Sequence, residues 1–169
     1  MNRVLVLAML TAISTAGCAS PDAFSRSDAP DFQASVKSEV EATVRDFFDG
    51  FRKASCTDGR PVSKHVRDPM MFVLKDDIYV IPRAEHEKGV RDLACTWQKH
   101  DGVVKTVIVE PLGPNAAVAA WTYRDDIVLK SGELRNSNGA VLMTLVKASS
   151  GWLITSTKTT ETIEPKTSK

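Results

Sequence analysis

At 169 residues, with 22 basic and 21 acidic side chains, the chain has room for one domain and its appendages. The formal charge is close to zero and there is no basic run or interleaved aromatic platform, which argues against nucleic acid, whose binding needs clustered cations on several phosphates. No glycine loop suits a phosphate and no two histidines stand at the i, i+4 spacing of a helical zinc site, so neither a cofactor nor a metal is expected.

The first segment has the make-up of an export signal. One cation, Arg3, precedes the apolar run from Val4 to Leu10, which gives way to small and hydroxylated residues up to Gly17. The run is shorter than the ~20 apolar residues a membrane-spanning helix needs. Cys18 follows Thr15-Ala16-Gly17 directly, and "TAGC" resembles the bacterial lipoprotein box, whose cysteine is acylated and becomes the new N-terminus. The resemblance implies a signal peptide over 1–17, a palmitate-type anchor on Cys18 and residence in the cell envelope. Ala19-Ser20 lacks the Asp that retains such proteins in the inner membrane, which implies the outer membrane, facing the periplasm. The alternative is an ordinary secretory signal followed by a chance cysteine. Loss of Arg3 leaves 21 charges of each sign, so the membrane would be held through acyl chains, which anchor stably when there is more than one.

Residues 18–30, "CASPDAFSRSDAP", are polar, carry two prolines and have almost nothing to bury; they read as a flexible tether reaching up to ~40 Å. Order is expected from Asp31. Val36, Val40, Val44, Phe47, Phe48 and Phe51 recur at the spacing of one helical stripe, and charged residues fill the other faces. Asp31 or Ser35 can cap the start, Arg52-Lys53 suit the negative end of the dipole, and Gly59 and Pro61 forbid continuation.

Residues 60–67, "RPVSKHVR", read as a short second helix with Pro61 in its first turn. "PMMFVLKDD" and "IYVIP" read as a hairpin around Lys75-Asp76-Asp77. After Pro82, "RAEHEKGVRDLACTWQKH" is amphipathic, with Val90, Leu93, Ala94 and Trp97 as its apolar stripe. Four strands follow at about 104–112, 116–129, 139–148 and 152–162, separated by Gly113-Pro114-Asn115, Ser131-Gly132-Glu133 and Ser149-Ser150-Gly151. "AVLMTLVKA" reads as a central strand covered on both faces, and 164–169 as a frayed tail. Cys56 and Cys95 have no CxxC spacing and no histidine nearby. An oxidising envelope permits them to pair, closing a loop worth ~3–4 kcal/mol; two separate buried thiols are the alternative.

On "FFDGFRKAS", "IYVIPRAEHEKGVRDL" and the terminal Gly-Trp, Ile, Ser, Lys pattern of "GWLITSTK", residues 33–163 resemble the SnoaL-like branch of the nuclear-transport-factor-2-like superfamily. That superfamily includes ketosteroid-isomerase-like and scytalone-dehydratase-like enzymes. The resemblance implies an α+β domain over 31–163: a cone-shaped barrel in which a curved, mostly antiparallel sheet wraps a long N-terminal helix, with two further helices. Such a cone leaves an apolar cavity of the kind that takes a small hydrophobic molecule. Relatives often place histidines near the equivalents of Ser156 and Lys158, and steroid-isomerase-like members use a tyrosine of the first helix. Here the strand has Ser156 and Lys158, and the helix offers Phe47, Phe48 and Phe51, which have no hydroxyl.

The period of two puts Trp152, Ile154, Ser156 and Lys158 on one strand face, expected to be the inner one, and Trp121 and Tyr123 on one face of another strand. With Tyr79 and Trp97 these aromatics either wall a ligand site or fill an ordinary core. His65 and Asp68, three residues apart, are the weak candidates for a base held by a carboxylate. The bland alternative is a surface pair. His86, between Glu85 and Glu87, is expected in solvent, His100 in a polar helix exit, and the doublets Asp76-Asp77 and Asp125-Asp126 at turns or a charged rim. The leading functional reading is a lipid-anchored periplasmic domain that binds a small apolar ligand or assists an envelope process without catalysis, few ionisable groups being expected to face inward. A module that pairs through the outer sheet face, as a homodimer or with another protein, is the alternative. An isomerase- or dehydratase-like enzyme is the second.

Overall fold

The computed structural model describes residues 29–74 and 77–164. The segment read as a signal, Cys18, most of the stretch read as a tether, Lys75-Asp76 and the residues from 165 lie outside the described residues.

Helix α1 runs from Ala29 to Lys53, starting two residues before Asp31, where order was expected to begin. Its stripe is buried as the spacing predicts: Val40 and Val44 are fully buried, and Val36, Phe47 and Phe48 nearly so. Each such side chain contributes about 1.5–3 kcal/mol when taken out of water. Ser35 does not cap the helix; it lies inside it and donates to Glu39 Oε1 at 3.0 Å. Glu39 in turn ties the helix to the sheet, accepting from Trp152 Nε1 at 2.8 Å and pairing with Lys147 Nζ at 2.6 Å. These bonds, that from Lys147 foremost, hold the Glu39 carboxyl down to about 2.

Gly50 lets α1 approach α2 (Arg60–Ser63) closely: a Cβ there would stand 2.5 Å from the Pro61 carbonyl oxygen. The short helix stops at Ser63, not at 67, because Val66 already begins strand β1 (Val66–Leu74). β1 and β2 (Asp77–Ile81) form the expected antiparallel hairpin. Helix α3 covers Arg83–Ala94 and ends earlier than its pattern suggested, since Trp97 opens β3 (Trp97–Gly113). β4 (Ala116–Leu129), β5 (Leu134–Ala148) and β6 (Gly151–Ile163) complete a six-stranded sheet ordered β2-β1-β6-β5-β4-β3. Every neighbouring pair is antiparallel except β1 with β6. Gly151 supplies the positive φ, 110°, that the β5–β6 turn requires.

The sheet curves around α1, and bulges within β3 and between β5 and β6 help it do so. β5 is a central strand, but it is covered on one face only: Val141, Met143 and Leu145 are buried, whereas Leu142 is 49% exposed. Cys56 and Cys95 are bonded, with Cα atoms 4.5 Å apart, fastening the segment after α1 to the end of α3. Among the described residues no helix is long and apolar enough to cross a membrane.

Candidate ligand cavity and its buried histidines

The open end of the cone holds a cavity of about 240 Å³ between α1, α3 and the inner sheet face. Phe47, Phe48 and Phe51 of α1 form one wall, and Trp121 and Tyr123 of β4 form the opposite one. Phe48 sits edge-on to Trp121 with centroids 5.6 Å apart, an arrangement that aromatic quadrupoles favour.

β4 alternates without a break, so Trp121, Tyr123, Asp125 and Ile127 all line the cavity. Asp125 is therefore an inner residue and not a rim charge; its neighbour Asp126 points outward and pairs with Arg124 at 3.2 Å. Two glycines make room for the polar groups of this strand. Gly102 pairs with Asp125 on the β3 side, and a Cβ there would collide with the Asp125 carboxylate and Phe48 Cζ. Gly139 pairs with Tyr123 on the β5 side, and a Cβ there would collide with the phenol ring.

His100 is not in a polar helix exit. It points inward from β3, its side chain only 5% exposed, and its Nε2 lies 2.9 Å from Asp125 Oδ1. A carboxylate only accepts, so Nε2 donates its hydrogen to Asp125, and the other ring nitrogen, Nδ1, takes no part in this bond. That Nδ1 is buried and has no partner among the described residues. Trp97 covers the imidazole at 4.7 Å between centroids, and Phe51 meets it edge-on at 6.4 Å. An imidazole oriented by a carboxylate in an apolar pocket is an arrangement suited to taking a proton.

His86 is also inside. It continues the buried stripe of α3, His86-Val90-Ala94, at spacings of four. Its ring stacks on Phe72, 5.6 Å away at 19°, and its Nδ1 meets Ser63 Oγ at 2.6 Å. Burial lowers its pKa to about 4, so the ring is neutral near pH 7. Tyr123 is pushed up to about 12 by burial first and then by Glu161 and Asp125, so its hydroxyl keeps its proton. Arg135 and Glu161 pair at 3.2 Å where they line the cavity.

The remaining sequence candidates separate. His65 and Asp68 do not meet: His65 Nε2 bonds Asp46 Oδ2 at 2.7 Å, and Asp68 Oδ1 accepts from the Arg83 backbone N–H at 3.1 Å. Tyr79 is 47% exposed on the edge strand β2 and bonds Asp77, away from the cavity. Ser156 and Lys158 are on the outer face. Thr144 pairs with Ser156 but Leu145 pairs with Ile154, so Thr155 is an extra residue that reverses the alternation. Thr157, Thr159 and Glu161 point inward instead. Among the described residues no cluster of three His, Cys, Asp or Glu side chains is arranged for a metal.

No family model matches the chain, and no curated protein matches it. Solved structures do. A candidate scytalone dehydratase from Novosphingobium aromaticivorans superposes with a TM-score of 0.69 at 9% identity, over 78% of this chain and 87% of that one. A nuclear transport factor 2-like superfamily protein from Salmonella enterica gives 0.62 at 18% identity, over 80% and 95%. The association domain of CaMKII from C. elegans gives 0.62 at 13% identity, over 77% and 98%. The chain thus has the nuclear-transport-factor-2-like fold, a fold that carries dehydratases and association domains alike.

Proposed function

We propose that this chain is an envelope-tethered protein whose cone receives a small, largely apolar molecule of one or two rings. The observation that carries the reading is the aromatic-walled cavity of about 240 Å³ with the His100–Asp125 pair inside it. A dry cavity of about 150 Å³ accepts benzene, so this one suits up to a fused bicycle. The acylated Cys18 and the tether would hold the domain near the outer membrane, where such molecules concentrate. The test is calorimetric titration of the protein with 2-naphthol, with Trp121→Ala as comparison. The reading expects saturable one-to-one binding that weakens at least tenfold in the variant; no heat with either protein counts against it. Incorporation of labelled palmitate, abolished by Cys18→Ser, tests the anchor.

The polar groups of the cavity favour a second reading, in which the bound molecule reacts. His100, oriented by Asp125, would take a proton from the ligand, as an isomerase or dehydratase requires. Ligand recovered from the wild type with deuterium from the solvent, and from His100→Gln without it, supports turnover; absence of label in both leaves a binding protein.

The outer sheet face supports an additional property, self-association. Ile108 and Leu142 stand 66% and 49% exposed there, beside Ala120 and Thr122. Light scattering that gives a dimer for the wild type and a monomer for Leu142→Lys supports it. A monomeric wild type rejects it.

A further inference from the structure

The mechanism suggested by His100 leaves the second buried histidine unused. Ser63 is fully buried at the end of α2, and among the described residues its hydroxyl has one hydrogen-bond partner, His86 Nδ1 at 2.6 Å. A buried hydroxyl that did not donate would waste its proton in an apolar surrounding, at a cost of about 1–3 kcal/mol. The Ser63 O–H therefore donates to Nδ1, which fixes His86 as the tautomer with hydrogen on Nε2. The stack on Phe72 fixes the plane of the ring. His86 lines the cavity, and its Nε2 has no protein partner among the described residues but is not sealed in, unlike His100 Nδ1.

We infer that His86 is a ligand-recognition residue that presents a neutral Nε2–H, locked by Ser63, to an uncharged oxygen acceptor on the bound molecule, the carbonyl of a ketone, quinone or ester. The inference rests on the cavity-binding reading above and deepens it. Two features select an uncharged acceptor. The imidazole is neutral near pH 7, so it contributes no positive charge. Asp125 and Glu161 also line the cavity and repel a carboxylate ligand, while the charge of Arg135 is offset by Glu161, which pairs with one of its terminal nitrogens. His86 and the His100–Asp125 pair would thus play different parts: a fixed donor for an oxygen, and an acceptor for a proton.

The experiment uses the full-length protein with ¹⁵N-labelled histidine at pH 7. The lock expects a protonated Nε2 and a bare Nδ1 for His86, and a mixture of tautomers in Ser63→Ala; a protonated Nδ1 in the wild type overturns it. The two ligand probes are 1-tetralone and its carbonyl-free analogue tetralin. The assignment expects His86→Phe to bind 1-tetralone about tenfold more weakly than the wild type and to bind tetralin equally well. Equal binding of 1-tetralone by both proteins overturns the assignment alone. Failure of both probes to bind the wild type overturns the cavity reading, and the assignment with it. Should His86→Phe not fold, Ser63→Ala supplies the contrast: the preference for 1-tetralone must shrink, and an unchanged preference overturns the lock.

Discussion

His100 on β3 and Asp125 on β4 meet across their ladder at 2.9 Å, and Gly102 vacates the space in which they do so. Each alone is an ordinary strand residue. Together, walled by Phe48, Phe51 and Trp97, they turn a greasy hollow into one with a directed polar group. The expectation that few ionisable groups face inward does not hold, because His86, His100, Asp125, Arg135 and Glu161 all line the cavity.

The glycine is the most exposed part of this arrangement to mutation. Gly102→Ala puts a methyl group against the Asp125 carboxylate and the Phe48 ring. Overpacking of this kind costs about 1–3 kcal/mol. Urea unfolding should show that loss, whereas Gly113→Ala, where a Cβ meets nothing within 4 Å, should be within about 0.5 kcal/mol of wild type.

Gly139→Ala strikes the Tyr123 ring in the same way. A similar loss of about 1–3 kcal/mol is expected, with an altered near-ultraviolet dichroism of Tyr123 and its neighbour Trp121, whose centroids are 5.5 Å apart. An unchanged aromatic spectrum would mean that the phenol does not lie on this glycine.

These contacts also show how far the sequence can be read. The stripe of α1, the strand turns and the strand spans of β4 and β6 follow from periodicity, because a helix or strand buried on one face repeats at a fixed interval. Asp125, read from the sequence as a turn or rim charge, was within reach of the same rule, since counting by two from Trp121 and Tyr123 arrives at it. His86 lies four residues before Val90, on a stripe whose polar neighbours Glu85 and Glu87 disguise it. Ser156 and Lys158 were out of reach, since a single unpaired residue at Thr155 reverses their direction and leaves no local mark in composition. His65, in the turn after α2, chose Asp46, nineteen positions back on α1, over Asp68 three ahead. Spacing along the chain cannot show a partner brought by packing.

Acid should weaken the fold before the carboxylates titrate. His86 has an ordinary pKa of 6.5 and about 4 when folded. Below 6.5 the unfolded chain takes up a proton that the folded chain refuses, so this stabilisation is complete above pH 6.5 and lost as pH falls toward 4, about 3 kcal/mol in all. Glu39 and Asp58, both held near 2, contribute their losses further down, as pH falls below their ordinary values of 4.5 and 3.8. Urea unfolding of the wild type at pH 7 and pH 4.5 should show the decline, and His86→Gln should show much less of it.

The Cys56–Cys95 bond closes a 39-residue separation and sits two residues before Trp97. Chain entropy assigns such a closure about 4 kcal/mol. The Cys56→Ser/Cys95→Ser double variant should lose roughly that in urea, and it should also loosen the Trp97 cover over His100, seen as red-shifted tryptophan emission. Stability equal to wild type would remove the bond from the account.

The most direct measurement is native mass spectrometry of the protein taken straight from the cells that make it, without added ligand, beside Val141→Trp, which fills the cavity. The account predicts an adduct with the mass of a one- or two-ring compound on the wild type and none on the variant. A wild type that carries no adduct and takes up no bicyclic probe would contradict it.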